Sequence, residues 1–89
     1  MGLLYFAAYP MIFDLCIERT EGHGFLRQYS TVSKDILYFA NAEPEETLIF
    51  KLHERADMDS GRVRHFCSLS RKSDGVRMAE LTGVKRLVS

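Results

Sequence analysis

The chain has 89 residues, which is enough for one small domain but not for two. Lys and Arg together number 12, and Asp and Glu together also number 12, so the formal net charge is zero. The chain therefore has no overall positive charge that would point to nucleic-acid binding. An apolar share of 46% and a charged share of 27% are ordinary for a globular domain.

The first segment, GLLYFAAYPMIFDLCIERTEG, is almost continuously apolar. It has no positive n-region or small-residue cleavage site of a signal peptide, and Asp14 and Glu18 interrupt it well short of the ~20 residues of a membrane span. We therefore interpret Leu3–Glu21 as a helix in the core of a cytoplasmic domain, with no membrane partner. Pro10 leaves two starts open for it, one near Ala7 and an earlier one with a bend at the proline.

Four later segments have the alternation, or the β-branched and aromatic content, of strands. They are Tyr29–Asn41, Thr47–Arg55, Arg62–Lys72 and Val76–Val88, with Leu48, Phe50 and Leu52 on one face of the second and Val63, His65, Cys67 and Leu69 on one face of the third. A turn at Ala42–Glu46, a loop at Ala56–Gly61 and an Asp-Gly hairpin turn at Ser73–Gly75 join them. The pattern predicts an α+β domain in which a four-stranded sheet curls round one helix.

Three blocks, in order along the chain, resemble a known family. GLLYFAAYPMIFDLCIERT, DILYFANAEPEETL and DGVRMAELTGVKRLV resemble hot-dog-fold acyl-thioester enzymes of the 4-hydroxybenzoyl-CoA thioesterase type. The first two look closest to the C-terminal half of double-hot-dog acyltransferase/decarboxylase proteins of polyketide biosynthesis, of the leinamycin-pathway type. The resemblance implies one hot-dog domain over residues 1–89, with the antiparallel strand order Tyr29–Asn41, Val76–Val88, Arg62–Lys72, Thr47–Arg55.

The sequence also departs from that family. The family has a strand before the helix, and its thioesterase branch carries an Asp just upstream of the position of Gly2, whereas this sequence starts at the helix block. One branch has His where Phe6 stands, and a phenyl ring cannot transfer a proton. We therefore expect a partial hot-dog domain lacking its first strand, assign no catalytic residue, and expect this chain alone not to hydrolyse acyl-CoA.

The resemblance implies a substrate site at the amino end of the helix and after the first strand. Its residues are Gly2, Tyr5, Phe6, Ala7, Tyr9 and Asn41. The backbone N–H groups around Tyr5 to Ala7 are expected to polarise a thioester carbonyl, or else to be capped by water. The phenols of Tyr5, Tyr9 and Tyr38 either contact substrate or form hydrogen bonds with the backbone. Asn41 either forms a hydrogen bond with a pantetheine amide or forms a turn.

Other polar residues have two interpretations each. Asp14 and Glu18 are an acid–base pair or, with Glu21, a solvated helix stripe. Cys16 and Cys67 are expected to be reduced thiols, with a disulfide as the alternative. The histidines lack ligand spacing, so we predict no metal, and no cofactor beyond the coenzyme A or phosphopantetheine of the substrate. A basic cluster is predicted round the last hairpin, either for phosphates or for solubility: Arg62, Arg64, Arg71, Lys72 and Arg77.

These features predict acyl-thioester processing in natural-product or lipid metabolism, with coenzyme A or an acyl carrier protein carrying the acyl group. The alternatives are a non-catalytic hot-dog half that supplies dimer contacts and one wall of a partner's site, and a different small α+β interaction module. The expected partner is a second copy or a second hot-dog domain. Because the missing strand leaves Thr47–Arg55 as an open edge, we expect the chain not to persist as an isolated monomer.

Overall fold

The computed structural model describes residues 9–40 and 45–88. The elements are helix α1 (Tyr9–Glu21), one-turn helix α2 (Phe25–Gln28) and strands β1 (Tyr29–Tyr38), β2 (Leu48–Met58), β3 (Arg62–Arg71) and β4 (Arg77–Leu87). The strands form one antiparallel sheet in the order β1-β4-β3-β2. This order confirms the prediction: the meander makes β2, β3 and β4 neighbours, and β1 lies beside β4.

Helix α1 lies against one face of the sheet because its large apolar side chains recur every four residues. Tyr9, Phe13 and Ile17 form this stripe and are at most 2% exposed. The rest of the buried cluster comes from the middle strands and α2: Val63, Cys67 and Leu69 of β3, Met78, Ala79 and Leu81 of β4, and Phe25. The described part of the helix is therefore the predicted core helix. The choice between its two predicted starts falls outside the described residues.

Two glycines turn the chain from α1 towards the sheet. Gly22 (φ 120°) and Gly24 (φ 93°) have left-handed backbone conformations, which glycine adopts without the steric cost of a Cβ. The N–H of Gly24 donates to Glu18 Oε2 at 3.0 Å. The short helix α2, which the sequence analysis did not predict, follows and buries Phe25 in a stacked contact with Tyr29 at 4.3 Å between ring centroids.

Strand β2 is longer than predicted. A loop was expected from Ala56, but the ladder to β3 continues through Ala56 opposite Arg64 and Met58 opposite Arg62. Only a short 3-10 turn, Asp59–Gly61, separates the two strands. The loop prediction was wrong because it relied on the polar composition of ADMDSG, whereas strand pairing satisfies this backbone. The predicted end of the first strand, Asn41, lies outside the described residues.

The Asp-Gly hairpin turn between β3 and β4 is confirmed. Asp74 Oδ1 accepts hydrogen bonds from Arg71 Nε at 2.9 Å and from the Val76 N–H at 3.1 Å. Gly75 has a φ of 74°, in the left-handed region. The turn residues thus supply both the side-chain acceptor and the unusual backbone conformation that the hairpin needs.

A register shift in β2 determines which charged residue faces the helix. Leu52 pairs with Cys67, but Glu54 pairs with Phe66, so His53 is the extra residue of a bulge. Beyond it, Arg55 pairs with His65, which faces α1. The bulge therefore turns Arg55 towards the helix, which simple alternation along β2 does not indicate.

Candidate functional site

The first described turn of α1 is tied to the chain segment that follows β1. The Tyr9 hydroxyl donates a hydrogen bond to the Ala40 carbonyl at 2.8 Å, and the Tyr9 ring stacks on Tyr38 with centroids 5.8 Å apart. Tyr9 has no exposed surface, whereas Tyr38 is 39% exposed and the next residue, Phe39, 55%. The amino end of α1 thus makes a buried hydrogen-bonded contact with the segment after β1, and two exposed aromatic residues lie next to this contact in the chain.

Five of the six predicted substrate-site residues lie outside the part of the chain that the structure describes. They are Gly2, Tyr5, Phe6, Ala7 and Asn41. Tyr9 is described, and its phenol makes the backbone hydrogen bond that was the alternative to substrate contact. Its direct role in binding stays a prediction.

The acidic residues of α1 do not form a solvated stripe. Asp14 lies with one carboxylate oxygen 3.1 Å from Lys34 Nζ and the other 3.3 Å from Lys85 Nζ. The Lys85 side chain is only 6% exposed, and its Nζ also donates to Thr31 Oγ1 at 2.9 Å. Two cations and one anion thus meet between α1, β1 and β4, where partial exclusion of water strengthens their attraction.

A second polar cluster lies at the carboxyl end of α1. Glu21 Oε2 accepts hydrogen bonds from Arg55 Nε at 2.6 Å and from His65 Nε2 at 2.7 Å. Burial alone raises the pKa of the Glu21 carboxyl, but the hydrogen bonds from Arg55 and His65 and their positive charge outweigh it, and the pKa is lowered. The cluster joins α1 to both β2 and β3, with the His65 side chain only 2% exposed.

The histidines are dispersed. His65 faces α1, as the alternation in β3 predicted, whereas His53 Nε2 lies 2.8 Å from Ser68 Oγ. Within residues 9–40 and 45–88, no group of three His, Cys, Asp or Glu side chains is arranged to hold a metal ion. In the same ranges, neither helix is long and apolar enough to cross a membrane.

Both cysteines are free thiols in the structure, in agreement with the prediction that they are reduced. Burial, with a smaller contribution from the nearby Cys16 thiol, raises the pKa of Cys67 to about 12. Burial also raises the pKa of Cys16, against the opposing charge of Arg19. Since the thiolate is the nucleophile, neither environment favours nucleophilic catalysis at neutral pH.

The predicted basic cluster is in fact two separate groups, so that prediction was wrong. Arg71 and Arg77 lie at the hairpin and form ion pairs, Arg71 with Asp74 at 2.9 Å and Arg77 with Glu80 at 2.6 Å. Arg62 begins β3 and therefore lies about 30 Å from Arg71, at ~3.3 Å per residue. Nearness in the sequence suggested one cluster, but an extended strand places its two ends far apart.

The cationic partners of the helix acids were not predicted from the sequence. One signal was present: Lys85 follows Ala79, Leu81 and Gly83 at the alternate positions of β4, so its phase predicts an inward-facing lysine. No comparable signal exists for Arg55, because its orientation depends on the bulge at His53.

Comparison with known proteins supports the fold. No known family profile and no curated sequence matches the chain. Among solved structures, a Thermus thermophilus thioesterase complexed with coenzyme A and Zn is similar, with a TM-score of 0.82 at 12% identity over 99% of this chain and 72% of that one. A 1,4-dihydroxy-2-naphthoyl-CoA thioesterase from Synechocystis is also similar, with a TM-score of 0.83 at 16% identity over 99% of this chain and 71% of that one.

A third similar structure is a Staphylococcus aureus protein solved in complex with coenzyme A. Its TM-score is 0.81 at 19% identity over 97% of this chain and 59% of that one. The chain has the hot-dog fold. At these identities the likeness is one of fold, and this hot-dog domain corresponds to between 59% and 72% of the length of those three chains.

Proposed function

We propose that this hot-dog domain binds acyl thioesters of coenzyme A or of phosphopantetheine on a carrier protein, and takes part in their hydrolysis or acyl transfer. The observation that supports it is the fold, shared at TM-scores of 0.81 to 0.83 with two proteins solved with coenzyme A and with a CoA thioesterase. Natural-product or lipid metabolism, including polyketide biosynthesis, is the proposed context, on the strength of the sequence blocks.

The proposed site lies at the amino end of α1, beside the end of β1. The exposed ring of Tyr38, stacked on Tyr9, provides apolar surface for an acyl group, and the Tyr9–Ala40 hydrogen bond holds the wall behind it. The backbone N–H groups around Tyr5 to Ala7 are proposed to polarise the thioester carbonyl, and Gly2 is proposed to line the substrate site. Asn41 is proposed to form a hydrogen bond with an amide of the pantetheine.

A specific observation favours the non-catalytic alternative. Each acid of α1 already has a partner: Asp14 has two lysines, Glu18 has the Gly24 N–H, and Glu21 has Arg55 and His65. A carboxylate used as a general base must reach the proton that it abstracts. If these contacts persist with substrate bound, the domain binds the thioester while the reacting groups come from a partner domain.

The proposed partner is a second copy that pairs along β1. This strand is one edge of the described sheet, and Val32, Leu37 and Phe39 on it or just after it are 48%, 60% and 55% exposed. An open edge with apolar side chains recruits another chain. Sedimentation of the wild type at micromolar concentration is expected to show a dimer. The variant Leu37→Lys is expected to be a monomer in the same experiment. A wild-type monomer that melts cooperatively would contradict this arrangement.

Calorimetry with a panel of short and aromatic acyl-CoAs, alongside thiol-release assays, tests the proposed function. Tyr38→Ala is expected to weaken binding about tenfold, equivalent to about 1.4 kcal/mol. Ile49→Ala removes a similarly exposed side chain on the opposite edge strand and is expected to leave binding unchanged. Binding with turnover identifies an enzyme, and binding without turnover supports the alternative. Failure of the wild type to bind both an acyl-CoA at millimolar concentration and an acylated phosphopantetheine carrier refutes the proposal.

A further inference from the structure

A cavity opens at the hairpin end of the sheet, between the segment that precedes β2 and the turn that follows β3. Its volume is about 480 Å³, and it is lined by Glu45, Glu46, Thr47, Lys72 and Ser73. Small-molecule sites usually have roughly 300–1,000 Å³. This lining offers one ammonium, two hydroxyls and two carboxylates. It therefore suits a ligand that carries an anionic group and hydrogen-bond donors side by side.

The two walls of this cavity are fixed to each other. The Lys72 N–H donates a hydrogen bond to the Thr47 carbonyl at 2.9 Å. Arg71 Nε lies 3.3 Å from Glu46 Oε2 and 2.9 Å from Asp74 Oδ1, so its guanidinium joins the segment before β2 to the hairpin turn. Because the walls are fixed without a ligand, binding costs little additional ordering of the chain.

Lys72 is the lining residue that offers a positive charge to a ligand. Its neighbour Arg71 is occupied by Glu46 and Asp74, whereas no carboxylate of the described residues lies within 4 Å of the Lys72 ammonium. An ammonium forms strong charge-assisted hydrogen bonds with phosphate oxygens, and hydroxyl groups such as those of Thr47 and Ser73 donate to the same oxygens.

The cavity lies at the same end of the sheet as the proposed thioester site. Tyr38 is level with Leu69, because both pair with Ala79, and Lys72 follows Leu69 by three residues. Two strand spacings of ~4.8 Å and three residues of ~3.3 Å place Lys72 about 14 Å from Tyr38. A pantetheine arm has about thirteen bonds between sulfur and phosphorus and spans roughly 15 Å when extended. A thioester held beside Tyr38 thus reaches the cavity with its phosphate.

We propose that this cavity binds the phosphopantoyl end of the acyl thioester, with Lys72, Thr47 and Ser73 on the phosphate. Coenzyme A and an acylated carrier protein share this group. Beside its phosphate, the group has a hydroxyl and an amide N–H, and the Glu45 carboxylate, which repels a phosphate alone, accepts from these donors. This inference rests on the proposed thioester function and names the part of the substrate that the cavity recognises.

The test compares calorimetric binding of an acyl-phosphopantetheine and of the matching acyl-pantetheine, which lacks only the phosphate, to the full chain. Lys72→Ala is expected to weaken binding of the phosphorylated ligand about tenfold, with the difference shrinking at high salt, and to leave acyl-pantetheine binding unchanged. Lys51→Ala removes the same charge from an exposed position of β2 and is expected to change neither. Melting curves establish that both variants are folded.

The outcomes separate this inference from the function on which it rests. Equal binding of the two ligands by the wild type overturns the phosphate site, and so does wild-type affinity of Lys72→Ala for acyl-phosphopantetheine. A loss in Lys72→Ala with acyl-CoA, with an acylated carrier protein or with both supports the site and identifies the source of the phosphopantetheine. Absence of binding to both acyl-CoA and the acylated carrier by the wild type refutes the proposed function itself.

Discussion

Replacing Glu21 with Gln keeps the shape of the side chain but removes the charge that links α1 to the sheet. Glu21 Oε2 receives Arg55 at 2.6 Å and His65 at 2.7 Å, and the His65 side chain is 2% exposed. Breaking a fully buried ion pair costs about 3–5 kcal/mol. Because Arg55 is 36% exposed and the amide oxygen still accepts a hydrogen bond, we expect a loss of about 2 kcal/mol in unfolding free energy.

For a chain of 89 residues, this loss corresponds to a melting temperature lowered by about 10 °C. Thermal and urea unfolding at a fixed protein concentration measure it, because any self-association makes stability depend on concentration. Glu54→Gln is the matched control, since Glu54 pairs with Arg64 at a site where both side chains are about half exposed. Its expected cost is at most about 0.5 kcal/mol.

The pH dependence gives the decisive comparison. The pKa of Glu21 is lower in the folded state than in the unfolded chain, where a Glu carboxyl titrates near ~4.3. The stabilisation is therefore present above that pH and is lost as the pH falls through the folded-state pKa. The stability difference between wild type and Glu21→Gln should shrink on acidification below about pH 4. Equal stabilities at pH 7, or a difference that stays constant in acid, would refute the reasoning.

Three further outcomes are expected. Tyr9→Phe removes the hydrogen bond to the Ala40 carbonyl and should lower the unfolding free energy by about 1 kcal/mol in a urea titration; no change would contradict the structural role of the phenol. Asp14→Ala leaves Lys85, 6% exposed, without its counter-charge and should destabilise the chain by about 2 kcal/mol, whereas the added Lys85→Met change should recover much of this loss. Cys67 should resist iodoacetamide at about pH 7.5 until the chain is unfolded, since burial raises its pKa to about 12; fast labelling of the native protein, read by mass spectrometry, would contradict this.

Local sequence patterns predicted the elements that depend on few partners. The apolar first segment predicted the core helix, and alternation through Val63 to Leu69 predicted the inner face of β3. The family resemblance contributed the position of β1 beside β4, which no pattern in the sequence specifies. Patterns of this kind are visible in the sequence because they repeat within a single element.

Predictions based on composition or on nearness in the sequence were less successful. The polar stretch from Ala56 to Gly61 looked like a loop, yet its first half extends β2 because β3 is there to pair with it. Arg62 and Arg71 were expected to lie together, yet they stand at opposite ends of one extended strand. In both cases the outcome depended on strand pairing rather than on residue type.

By itself, the sequence determined that an apolar helix packs against a sheet of alternating strands, because apolar spacing of about 3.6 or 2.0 residues is a property of each segment alone. Only the tertiary structure decided that Asp14 and Glu21 are bound by Lys34, Lys85, Arg55 and His65 rather than solvated. These contacts join residues distant in the sequence. The Glu21–Arg55 contact also depends on the bulge at His53, which places Arg55 on the face of the sheet that packs against α1. No local sequence pattern marks this bulge, because only the pairing of β2 with β3 shows which residue is extra.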